Sequence, residues 1–443
     1  MYRIVVTVIW WSVIQGLGYS QPVRQKTDSL TYQLYLSQEW KPLMRETRRS
    51  LHQGIDFFYL RVRAGIAAYE LKKYRLAAHH LSKAYKKNSS DEFVNYWYYY
   101  SLVMSGRKDE ANRLAMRFSD DYLSSMDIRK QTGVNSILAE VQISDNSEIE
   151  ALLDENIAGA YNYLGYRNVA DRQVYKAFGI DHRVSGRVYA FHGVSHLGIS
   201  RMQLFQSPLT RINIQHESTT TQYQYYLQGR YLFDHGWMVT SSASLLWGEA
   251  VSHWFSYSSE GVPRLNRNIY AINDYVLNAG IAKELRWLRP KLSLSAGEIS
   301  GTKQWQIDGQ VIVYPLGNTN LYLTSDLSRY HDNGTDKNHH VFSQKLSIKT
   351  GPLWLTGEWV TGNIRNFSAS DGYIVYNMSE TIKGIAGITA WIPLFNNRFD
   401  ITGRYRITDK EGLTFIYANT VDYQMAKYLF SEKSFLISLR YNL

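Results

Sequence analysis

The C-terminal stretch Phe435-Leu436-Ile437-Ser438-Leu439-Arg440-Tyr441-Asn442-Leu443 decides the fold. Successive side chains of a strand point to opposite faces. Phe435, Ile437, Leu439, Tyr441 and Leu443 therefore share one face, and Leu436, Ser438, Arg440 and Asn442 the other. One side is apolar and the other mostly polar. A strand of a soluble sandwich can read this way. A strand of a membrane barrel must, because one face meets lipid and the other a polar lumen.

The same alternation recurs upstream. Tyr223, Tyr225, Leu227, Tyr231 and Phe233 alternate with Gln222, Gln224, Gln228 and Arg230. Trp305, Ile307, Val311 and Val313 alternate with Gln304, Gln306, Asp308 and Gln310. Phe399, Ile401, Tyr405 and Ile407 alternate with Asp400, Thr402, Arg404 and Arg406. Ile137, Ala139, Val141 and Ile143 start the series. The residues 134–443 are thus expected to form an antiparallel transmembrane β-barrel. Short links are expected near 198–200, 234–236, 286–290, 316–319, 351–352 and 394–397. Longer ones are expected near 218–221, 248–268, 331–338, 362–372 and 408–431. An even strand number brings both barrel ends to one side. The count is 14 if 136–143 is the first strand, with a long outer loop over 144–186 carrying a helical piece at 147–156. Without that first hairpin it is 12.

Composition agrees. The chain has 443 residues, with 35 Tyr and 12 Trp, enough for the aromatic girdles of a barrel. It has no Cys, so it carries no disulfide framework and no thiolate metal site. The net charge of +10 is spread along the chain and gives no sign of nucleic acid. Arg3, the apolar run 4–14 and the small residues Gly16, Gly18 and Ser20 follow the order of a secretory signal over 1–20. No later run approaches the 18 apolar residues of a membrane helix.

Residues 21–133 read as helical. Ala77, Leu81 and Ala84 are matched 34 positions later by Ala111, Ala115 and Phe118, and Lys72 by Gly106. Gly65 and Ala68 are small where a first helix meets its neighbour. This resembles the tetratricopeptide repeat, with Ser89 in place of its closing Pro and Tyr99 in place of a small residue. The resemblance implies a periplasmic domain that docks a protein partner, with Lys72, Lys73, Arg75, Lys83, Lys86 and Lys87 as candidates for that contact. A solvated helix face is the plainer reading of the same run.

Helical repeats ahead of a barrel resemble the exopolysaccharide-secretion porins and the smaller YaiO-type outer-membrane proteins. That architecture implies residence in the outer membrane and transport or export of a polar solute or polysaccharide. Tyr441 and Leu443 resemble the terminal signal read by the barrel-assembly machinery. Arg230, Asp308, Asp326, Lys345, Glu358, Asp400, Arg404, Arg406 and Arg440 fall on the lumen face. They either pair as salt bridges or line a solute path. A non-conducting scaffold is the alternative, and a lipid-modifying barrel enzyme using His192 and Ser195 a third. No phosphate loop, nucleophile elbow or HExxH motif is present, so no enzymatic activity, cofactor or metal is expected. The pairs His79-His80 and His339-His340 are expected on the surface.

Overall fold

The computed structural model describes residues 23–128, 133–160, 162–257, 263–334 and 336–443; the expected signal over 1–20 lies outside them. The chain divides into two compact units. One runs to residue 130 and takes in 285–287 and 314–319; the other takes the remainder. Among the described residues no helix is long and apolar enough to cross a membrane.

The first unit is helical: α1 (23–36), α2 (Trp40–His52), α3 (Phe58–Glu70), α4 (Tyr74–Lys87), α5 (Glu92–Met104), α6 (Lys108–Ala115) and α7 (Asp120–Ser125). The 34-residue spacing is visible in the helix starts, at 58 and 92 and again at 74 and 108. Ala77, Leu81 and Ala84 are fully buried, and Ala111, Ala115 and Phe118 are buried as well. A Cβ at Gly65 would overlap the Leu81 side chain, so α3 and α4 approach closely only because that position is Gly. Lys72 and Gly106 end α3 and α5 with left-handed backbone, at φ 57° and 78°. Asp91 starts α5 by accepting a hydrogen bond from the Val94 amide at 2.9 Å, and Ser119 caps α7 on Tyr122.

The second unit is a closed antiparallel barrel. Its strands are β1 (Val134–Asn146), β2 (Leu164–Arg183), β3 (Val188–Ser207), β4 (Ile212–Leu232), β5 (Trp237–Tyr257), β6 (Pro263–Lys283) and β7 (Leu288–Ile299). They continue as β8 (Thr302–Val313), β9 (Leu321–Asp332), β10 (Lys337–Thr350) and β11 (Leu353–Ile364). After a hairpin of β12 (Phe367–Ala369) and β13 (Ile374–Tyr376) come β14 (Thr381–Leu394), β15 (Phe399–Tyr417) and β16 (Tyr423–Asn442). Fourteen strands form the wall, and β16 closes it on β1 with Val141 opposite Ile437 and Ile143 opposite Phe435. The distal end of β15 also pairs with β2, Thr414 opposite Arg167.

Burial inverts the order of a soluble protein. Phe178, Val194, Leu245, Leu277, Leu327 and Phe435 face outward, Ile388 with 62% of its surface exposed. Gln222, Gln224, Ser244, Asn278, Ser293, Gln304 and Gln306 are buried inside. Such a surface is stable only against an apolar surrounding.

Five expected links differ from the structure. Residues 198–200 and 218–221 lie inside β3 and β4, which reverse at 208–211. Gly, Ser and Thr there mark no turn, since Thr suits a strand well. The outer loop after β1 covers only 147–163, with the short helix α8 (Ile149–Asp154), because Leu164–Arg183 is strand. A register shift between Ala170 and Arg172 hides that strand's alternation. The spans 248–268 and 408–431 are likewise mostly strand.

Candidate functional site

Residues 365–380 do not form a solvated loop. Phe367, Ser368 and Ala369 pair with Tyr376, Val375 and Ile374 as a small hairpin. Ser370, Asp371 and Gly372 make its turn with φ of 54°, 58° and 85°. Asp and Gly accept left-handed backbone more readily than other residues. Its base is apolar: Phe367 and Tyr376 stack at 6.3 Å, and Phe367 packs with Tyr330, Val341, Ile364, Ile382 and Ile385. The inward-facing Phe367 fixes the hairpin to the β9–β11 and β14 wall.

The tip crosses the lumen to the opposite wall. Asp371 forms an ion pair with Lys291 on β7, and its carbonyl accepts from Ser242 on β5. The Gly372 carbonyl accepts from Ser244, and the Tyr373 carbonyl from Gln224 Nε2 at 3.2 Å. Tyr373 donates its hydroxyl to Glu140 on β1 at 3.1 Å. Asn377 donates to Gln222 on β4 at 2.6 Å and to Asp274 on β6 at 2.9 Å. Gln306 on β8 bonds the Ser368 backbone, donating to its carbonyl at 2.7 Å. The exit of the hairpin is clamped by Glu380, ion-paired with Arg201 on β3, both nearly inaccessible.

A second buried pair joins Lys410 on β15 to Glu432 on β16, which also accepts from Gln173 at 2.8 Å. Arg167 lies over the Tyr428 ring and donates to the Leu152 carbonyl of α8 at 2.7 Å. Between the hairpin and the wall of β7–β11, β14 and β15 remains a cavity of about 340 Å³, with polar side chains from β7–β9 and a mixed polar and apolar lining from the other strands and the hairpin.

The lumen residues expected from the sequence take several roles. Arg406 grips Glu358 with two hydrogen bonds, while Arg404 on the same face donates to Gln142 at 3.0 Å. Arg230 pairs with Asp181 at 2.7 Å. Asp308 and Asp326 accept from Gln306 and Gln310 at 2.6 and 2.7 Å. Asp400 accepts from Asn442 at 3.1 Å, and Arg440 is exposed. Lys345 lines the cavity. Lys291, Arg201, Glu380, Asp371, Lys410 and Glu432 were missed. The inward parity of Lys291, next to the outward Leu292, was the readable signal.

Among the basic helix residues, Lys72, Lys73, Lys83 and Lys86 are exposed, and Lys87 pairs with Asp56 at 3.2 Å. Arg75 corrects the expectation. It is buried within its unit, donating to the Leu285 carbonyl at 2.7 Å and lying 4.0 Å over the Tyr314 ring. The pair His79-His80 departs from the surface expectation, whereas His340 is exposed. His80 is buried and meets Arg61 Nη1 at 3.1 Å, which fixes its Nδ1 as acceptor. Burial and then the Arg61 charge push His80 down to about 3; burial pushes His79 down to about 4. His339 stacks on Tyr330. Ser195 opposes the buried Gln224 and faces the lumen, whereas His192 opposes the exposed Leu227 and faces outward. The two share no face, so they cannot act as a nucleophile and its base. Among the described residues no group of His, Asp or Glu could hold a metal.

No family model and no curated protein matches the chain. Among solved structures it is similar to the P. putida toluene transporter TodX, at 9% identity over 75% of this chain and 94% of that one, TM-score 0.46. It is similar to a Pseudomonas aeruginosa FadL homologue at 7% identity over 74% and 94%, TM-score 0.46. A bacterial polysaccharide outer membrane secretin gives 9% identity over 70% and 98%, TM-score 0.33.

Proposed function

We propose that this chain is an outer-membrane barrel that passes a polar solute, with the hairpin 365–380 as its gate. The helical unit sits in the periplasm as tetratricopeptide-like repeats and docks an envelope protein through exposed lysines. The outward apolar face meets outer-membrane lipid, and the C-terminal strand is the segment handed to the barrel-assembly machinery. No enzymatic step belongs to this reading.

One observation carries it: a lumen lined with amides, hydroxyls and charges is crossed by a polar-tipped hairpin that still leaves a cavity of about 340 Å³. A structural filling would favour an apolar core over such groups, since buried polar groups are costly unless fully paired. A polysaccharide would require the hairpin to leave the lumen, whereas the Arg201–Glu380 clamp holds its exit. A small solute requires only that the tip move, and is the preferred cargo. The scaffold reading is favoured by the same hairpin if its tip never moves.

The chain has no native Cys, so a thiol lock is clean. Gln222→Cys with Asn377→Cys, bridged by a short reducible reagent, should abolish solute flux into liposomes, and reduction should restore it. Flux that ignores the bridge sinks the gate. A folded protein with no flux in either state transfers the argument to the scaffold.

A further inference from the structure

We propose that the lumen cavity binds a zwitterionic solute with an apolar side chain, an α-amino acid or short peptide. This rests on the transport reading and names its substrate class. The charges on the cavity wall fall into two sets. Lys291 is paired with Asp371 and Arg406 with Glu358. Lys345, Asp308 and Asp326 make no ion pair among the described residues, the two carboxylates accepting only hydrogen bonds from neutral groups. Lys345 lies opposite Glu358, which Arg406 already grips, and Lys291, the cation near Asp308, is held by Asp371, so each of the three lacks a contacting counter-charge and is a group a ligand can complete.

Their placement is specific. Asp308 opposes Ser328 and Asp326 opposes Gln310 across β8 and β9, so the carboxylates are diagonal neighbours on the inward face. Diagonal neighbours have Cα atoms about 7–8 Å apart, within reach of one shared ammonium group. Ser343 on β10 opposes Asp326, and Lys345 lies two residues further along the same inward face. An ammonium between the carboxylates thus leaves a carboxylate end directed at Lys345. Val341 on the same β10 face, with Ile385 on β14 and Phe367 of the hairpin, supplies the apolar wall for a side chain. Ser368, 3% exposed on the same cavity, has a buried hydroxyl with no hydrogen-bond partner among the described residues, a spare group for a peptide bond. The volume is in the range of small-ligand pockets. A neutral polyol would use the hydroxyls and leave all three charges without a contacting counter-charge.

The test is titration calorimetry on refolded full-length protein in detergent, with folding checked by heat-modifiable gel migration. The probes are L-leucyl-L-leucine, the neutral N-acetyl-L-leucine amide, and glucose. The dipeptide should bind saturably and the other two should not. Asp326→Asn and Lys345→Gln should each weaken binding at least tenfold, while Ser325→Ala, on the outward face, leaves it unchanged. Absence of dipeptide binding, or equal binding of either neutral probe, overturns the proposal. Flux through the unlocked barrel without dipeptide binding removes this site but keeps the transport reading. Dipeptide binding in a protein that never passes solute does the reverse.

Discussion

Lys291 on β7 and Asp371 at the hairpin turn form an ion pair that fastens the tip to the wall two strands beyond its base. Both side chains are mostly buried, at 12% and 16% exposure, so solvent screens the pair only partly. Losing one partner leaves the other charge inside the lumen. Lys291→Ala is expected to shift the closed state by about 2 kcal/mol, roughly 30-fold in the closed-to-open ratio. Single-channel recording in planar bilayers should show longer or more frequent openings for Lys291→Ala and Asp371→Ala. The exchange Lys291→Asp with Asp371→Lys should bring closure back. Equal opening in the exchange and the single variants would show that the ion pair does not hold the tip.

Arg201 and Glu380 hold the other end of the hairpin and are less accessible still, at 7% and 2%. Arg201→Ala strands a carboxylate in the barrel interior and should cost about 3–5 kcal/mol of stability. Arg201→Met with Glu380→Gln removes both charges and should cost less. Denaturant unfolding followed on gels ranks the three. A single variant no worse than the double would show that Glu380 finds another cation.

The barrel was legible from alternation because each strand's faces meet opposite surroundings. Gln222, Gln224, Gln304 and Gln306 read as inward from their neighbours alone, and they are buried. The hairpin was not legible. Asn366, Ser370, Asp371 and Gly372 have the composition of any solvated turn. What draws them inward is Lys291, Gln224, Ser244 and Glu140 on other strands, far away in sequence. Salt bridging of lumen charges was foreseeable in kind, as for Arg406 and Glu358, but not the partner. His80 carries a readable signal of its burial. It lies four residues from both Leu76 and Ala84, on the buried face of α4.

That burial predicts acid sensitivity in the helical unit. The unfolded His80 binds a proton near pH 6.5, the folded one only near 3. Between those values the unfolded state holds more protons, so stability falls as the pH drops below about 6.5. His79, pushed down to about 4, adds in the same direction. Asp56, held at about 2 first by its hydrogen bonds from Arg61, contributes stability above its ordinary 3.8 that fades as the pH nears 2. Far-ultraviolet circular dichroism of the full chain should lose helical signal between pH 6.5 and 4 before strand signal. His80→Gln should flatten the upper part of that decline. An unchanged profile in this variant would assign the acid response elsewhere.

Lys72 supplies the last expectation. It holds φ 57° where the matching position of the next repeat is Gly106 at 78°. A left-handed L-residue costs about 1–2 kcal/mol, while Gly costs roughly 0.4–1 kcal/mol through the freedom it adds to the unfolded chain. Lys72→Gly should therefore stabilise the helical unit slightly, by up to about 1 kcal/mol. Lys73→Gly, next in sequence and with φ −93°, gains nothing from that relief and should destabilise. Thermal loss of helical signal in the two variants separates backbone strain from a change of charge, since both remove one lysine. A fall in both would mean that Lys72 bears no strain that Gly can relieve.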